Sequence, residues 1–95
     1  MPLFVLSCRD RENALDVRMA TREAHLAYVR EHGAKVKLGG PYLGPDGGMI
    51  GSLLILETDD LAGAQAFAEN DPYRLAGLFE RVELTPWRQT IGGLA

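Results

Sequence analysis

Leu53-Leu54-Ile55-Leu56 is apolar at every position, and Leu3-Phe4-Val5-Leu6 repeats the pattern near the start of the chain. Successive residues of a strand point to opposite faces of its sheet, so strands built this way must be covered on both sides. That requirement limits what the rest of the chain can be. It must supply helices for one face and find something else for the other.

The remaining segments read as follows. Leu3 to Cys8 forms a first strand ended by the charged run Arg9-Asp10-Arg11-Glu12. From Asn13 to His32, Leu15, Met19, Leu26 and Val29 recur at helical spacing with Val17, Ala20, Ala24, Ala27 and Tyr28 beside them, and Gly33 stands where a C-terminal cap belongs. Residues 34–42 alternate and then reach Gly39-Gly40-Pro41, which predicts an edge strand with a bend or bulge. The turn formers between Leu43 and Gly48 join it in a hairpin to the strand Met49 to Thr58. Thr58-Asp59-Asp60 caps a second helix with Leu61, Ala64, Phe67 and Ala68 on its apolar stripe. Asp71-Pro72 breaks that helix and restarts a short turn to about Gly77, and Phe79 to Trp87 supplies the last strand. Arg88 to Ala95 is read as a loose tail or an arm exchanged with a partner.

The order β-α-β-β-α-β is the split βαβ, ferredoxin-like plan of the α+β class: a four-stranded antiparallel sheet with two helices on one face. The whole of residues 1–95 is expected to be one domain. Since two helices cover only one face, a second copy of the sheet is the simplest cover for the other, which makes a two-fold homodimer. A chain this short buries only about 60–65% of its unfolded surface, so the added core would also stabilise it.

Net charge −3 and a pI near 5.3 argue against a nucleic-acid partner, which needs a basic face to displace counterions. Cys8 is the single cysteine, so an intrachain disulfide and a cysteine zinc site are excluded and a cytoplasmic, reducing setting is expected. The N-terminal apolar run is too short for a signal peptide or a membrane span. No compact metal-ligand motif, phosphate loop or dinucleotide fingerprint is present, so neither metal nor organic cofactor is expected.

Chemistry concentrates in two places. In Arg22-Glu23-Ala24-His25-Leu26-Ala27-Tyr28, a helix turning about 100° per residue returns to within about 20° after seven positions. Arg18, His25 and His32 therefore share a stripe, with Arg22 and Tyr28 flanking His25 one turn away on either side. Such a face is either a solvated basic surface or the wall of a pocket for a small anionic or hydroxylated ligand, in which arginine grips a carboxylate and histidine moves a proton near neutral pH. The second place is Asn70-Asp71-Pro72-Tyr73. Asp71 reads as the cap of the short helix, as the acceptor that orients His25, or as both, since a carboxylate has several lone-pair sites. Gly40 and Pro41 can admit a ligand, with Tyr73 as a further contact; His32 beside Gly33 reads as a helix-end histidine, and Cys8 as a small hydrophobe.

These segments, with Ala76-Gly77-Leu78 and Val82-Glu83-Leu84-Thr85-Pro86-Trp87, resemble the YCII-related family over nearly the whole chain. The resemblance implies the dimeric α/β-barrel group, with protomers paired sheet to sheet, and a His-Asp dyad, mapping onto His25 and Asp71, in a pocket under the sheet. One characterised branch of that family removes chloride from a chlorinated hydroxyquinol, which needs proton transfer and no obligatory redox cofactor. The resulting expectation is a cofactor-independent acid/base enzyme, lyase- or isomerase-like, acting on a small anionic or phenolic metabolite. A non-catalytic binding or accessory module is the alternative, and cofactor-independent monooxygenation follows from fold analogy alone.

Overall fold

The computed structural model describes residues 2–94; Met1 and Ala95, the ends of the expected first segment and tail, lie outside them. Its elements are β1 (Leu3–Asp10), α1 (Leu15–Glu31), β2 (Val36–Leu43), β3 (Met49–Glu57), α2 (Leu61–Glu69), α3 (Pro72–Leu75) and β4 (Phe79–Trp87). The strands lie in the order β2-β3-β1-β4, all antiparallel, as the ferredoxin-like plan of the α+β class requires. The two strands with apolar runs, β1 and β3, occupy the centre, and the Pro41-bearing β2 lies at an edge, where a missing N–H costs least. The expected irregularity of β2 is present as register shifts at Val36/Leu38 and Tyr42/Leu43.

Side chains alternate strictly on the central strands. Phe4, Leu6, Cys8, Leu54 and Leu56 point to the helical face and, with Ala64, Phe67 and Ala68 of α2, form the main core. Asp60 caps α2, its Oδ1 accepting the Gly63 N–H at 2.9 Å, while the Thr58 hydroxyl donates to the Asp60 carbonyl at 2.7 Å. Gly77 ends the turn after α3 with φ +74, a left-handed conformation that costs other residues a Cβ clash. The opposite sheet face carries Leu38 and Trp87, both exposed, and the tail brings Ile91 and Leu94 beside them around an apolar hollow.

The first helix departs from its sequence reading. Asn13 adopts φ +56 and so stays outside α1, which starts two residues later; at the other end His32, not Gly33, is the cap residue. More consequentially, Leu15 and Met19 are 50% and 52% exposed, although their spacing placed them on the docking stripe. The buried members of α1 are Arg18 and His25. A polar stripe can face inward here because each of its charges finds a partner: Asp10 for Arg18 and Asp71 for His25. Among the described residues, no helix is long and apolar enough to cross a membrane.

Candidate active site

Asp71 is where the two sequence segments meet. As the cap of α3, its Oδ1 accepts the backbone N–H of Tyr73 at 2.9 Å, and the same oxygen lies 2.9 Å from His25 Nδ1. Capping and orienting therefore coexist. An ionised carboxylate only accepts, so Nδ1 is the donor of this contact, and in the neutral imidazole the lone pair then falls on Nε2. Nε2 has no partner among the described residues and no sealed polar atom is left without one, so this nitrogen opens to the cavity that His25 lines. The imidazole is fixed from its face as well, stacking on the Tyr73 ring at 4.0 Å between centroids and 17° between planes.

That cavity lies between α1 and the β2-β3 hairpin and has a volume of about 160 Å³. Its walls include Arg18, Arg22, His25, Gly40, Pro41 and Tyr73, six of the eight positions singled out with Asp71 and Tyr28. Asp71 stands behind His25. Gly39 keeps the hairpin side close: a Cβ there would collide with the Leu54 side chain.

Tyr28 is the residue that sequence placed wrongly. Its hydroxyl donates to the Phe67 carbonyl at 2.9 Å and its ring packs with His32 and Phe67, tying α1 to α2 instead of facing the cavity. His32 keeps its helix-end role, with Nδ1 2.9 Å from the Tyr28 carbonyl. Arg18 reaches the cavity but not as a free cation. Nε and Nη2 bond the two Asp10 oxygens at 2.7 and 2.9 Å, Nη2 also donates to Ser52 Oγ at 2.8 Å, and the guanidinium lies 4.6 Å above the Tyr73 ring. Burial works against the charge on Arg18, yet the Asp10 hydrogen bond and charge outweigh it and raise its pKa. Arg22, by contrast, is exposed at the cavity edge with no carboxylate partner among the described residues. Burial raises the Tyr73 phenol against the pull of Arg18 and Arg22, so Tyr73 stays protonated at neutral pH.

Asp10 and Ser52 are the members that sequence reading missed. Asp10 looked like one more charge in a strand-ending run. Ser52 carried a signal, being a lone hydroxyl in a central strand that is otherwise without polar side chains until its last residue, Glu57.

Cys8 is no nucleophile here. Burial foremost, then the charges of Asp71 and Asp10, push its thiol from 9.0 up to about 12. A disulfide reagent at about pH 8 should leave the folded protein unmodified and react fully once denaturant is added, because only the thiolate attacks. Rapid labelling of the native chain would contradict this burial. The raised pKa also links to stability: the contribution is present below pH 9.0 and is lost as pH rises toward about 12. Among the described residues, no three His, Cys, Asp or Glu side chains gather as a metal-binding group.

The profile of the YCII-related domain matches residues 2–88. Protein YciI of Escherichia coli is 33% identical over 95 residues, covering 92% of this chain and 97% of its own length. An uncharacterized protein of Haemophilus influenzae is 32% identical over 94 residues, covering 90% and 96%. Among solved structures, 5-chloro-2-hydroxyhydroquinone dehydrochlorinase (TftG) of Burkholderia phenoliruptrix, in complex with 2,5-dihydroxybenzoquinone, is 39% identical with a TM-score of 0.87, covering 93% of this chain and 95% of that one.

Proposed function

This chain belongs to the YCII-related domain family, and from that premise we propose that it is an acid/base enzyme for a small hydroxylated ring or related anion, with His25 moving the proton and Asp71 holding the imidazole. The observation that carries this reading is the buried 2.9 Å contact between His25 Nδ1 and Asp71 Oδ1, which leaves Nε2 free toward a cavity. A module that only captured a metabolite would have no need of an imidazole locked in one tautomer. Size supports the ligand class: a cavity of about 150 Å³ is known to hold a benzene ring, and this one, at about 160 Å³ and open at one side, suits a single ring whose substituents project outward. Arg22 at the opening provides a positive charge for an anionic substituent.

The chemistry within reach is proton transfer without net oxidation. Nε2 accepts a proton from a ring hydroxyl, and Asp71 stabilises the imidazolium that results. Returning that proton to a ring carbon isomerises the substrate. If that carbon bears chlorine, departure of chloride with the bonding pair and loss of a second hydroxyl proton complete the removal of HCl. Electrons balance at each step, so the reaction class calls for no redox cofactor. The dehydrochlorinase likeness supports this class of chemistry, and the first assay is chloride release from 5-chloro-2-hydroxyhydroquinone and related chlorinated hydroxyphenols. Loss of activity in His25→Gln supports the dyad; full activity in that variant would remove it.

The second sheet face, with Leu38, Trp87 and the partly buried Leu3, Val5 and Leu53, supports a homodimer in which the sheet of one chain covers that of another. Sedimentation at micromolar concentration should give the mass of two chains. A monodisperse single chain would overturn the pairing. A reducing, cytoplasmic setting suits a chain whose one cysteine is a buried free thiol.

A further inference from the structure

We propose that Ser52 is a ligand-binding donor, its hydroxyl donating a hydrogen bond to the substrate oxygen that gains charge when His25 acts, and that Arg18 and Asp10 are the positioning residues that aim it; this rests on the acid/base reading above. A serine hydroxyl has one hydrogen to give and two lone pairs to share. Arg18 Nη2, itself held by Asp10, fills one lone pair at 2.8 Å and cannot receive the hydrogen, because a guanidinium only donates. No acceptor for the Ser52 hydrogen exists among the described residues. Ser52 is only 6% exposed, and what remains open belongs to the cavity wall it shares with His25. An acceptor on the ligand is therefore what completes the group.

The arrangement also explains why so much charge is buried for an indirect role. Arg18 and Asp10 are 3% and 5% exposed at their side chains and neutralise one another, so the pair adds little net attraction for an anion. What it adds is direction. A donating guanidinium at Ser52 polarises the hydroxyl and excludes the rotamers that would point its hydrogen at Arg18. Ser52 then supports the oxygen left behind when His25 removes its proton, or a second oxygen conjugated with it.

The test measures affinity, with 2,5-dihydroxybenzoquinone as probe, by calorimetry and by the visible band of the bound compound. A hydrogen bond to a charged acceptor predicts that Ser52→Ala weakens binding by about 10- to 100-fold and moves the bound band toward its position in free solution. Ser52→Thr, which keeps the hydroxyl, should recover most of both. If Ser52→Ala fails to fold by circular dichroism, Ser52→Cys keeps the side-chain size with a weaker donor and should shift both readouts the same way. Binding by the alanine variant within about twofold of the parent, with its band unmoved, overturns the inference, as does failure of the parent chain to bind the probe at all. His25→Gln separates this result from the dyad: turnover lost with probe affinity kept supports His25 whatever Ser52 does.

Discussion

His25→Gln should lower turnover in the chloride-release assay by about 10²- to 10⁴-fold, the range that a positioned acid/base group supplies, while the chain stays folded. Glutamine is the informative replacement because its amide N–H can still donate to Asp71 Oδ1, satisfying the carboxylate that also caps α3. What the amide cannot do is take up a proton at neutral pH. Replacing Asp71 instead would disturb the Tyr73 backbone bond and the imidazole together and mix a folding defect with a catalytic one. Ligand affinity should change far less than turnover in His25→Gln, since Ser52 and Arg22 remain in the cavity wall. Equal losses in turnover and affinity would point to a binding histidine and against proton transfer.

Much of the fold was legible from its apolar runs and its breaks. The apolar runs of β1 and β3 called for cover on both faces, and these are the strands at the centre of the sheet, while Asp71-Pro72 marked the break between α2 and α3. The orientation of α1 was not legible, because spacing identifies stripes on a helix but not which stripe faces in. Apolar Leu15 and Met19 competed with Arg18 and His25 for the inside, and the polar pair occupies it because partners from β1 and α3 compensate the burial. Those partners lie at sequence separations of 8 and 46, beyond any local pattern. Tyr28 misled for a related reason: one turn from His25, its ring still leaves the cavity once α2 offers the Phe67 carbonyl. The pairing of His25 with Asp71 became readable from the order of the motifs along the chain, whereas the bond from Arg18 to Ser52 did not.

Asp10→Ala should be the most damaging single change outside the core. It removes one member of a buried pair and leaves the Arg18 guanidinium, 3% exposed, without its counter-charge, a type of change that costs about 3–5 kcal/mol. A domain of 95 residues has roughly 5–14 kcal/mol of stability in all, so the loss is a large share of it. The expected readout is a thermal midpoint lowered by roughly 15–30 °C, since 1 kcal/mol moves a domain of this size by several degrees. Converting both partners together, Asp10→Leu with Arg18→Met, should restore much of that midpoint, because an apolar pair of similar volume leaves no charge unpaired. The recovered protein then separates stability from aim: with Ser52 no longer held by Arg18, its affinity for 2,5-dihydroxybenzoquinone should stay weak although its midpoint has returned. A shift of less than about 4 °C in Asp10→Ala would mean that water reaches Arg18 and that the pair does not hold the inward face of α1 in place.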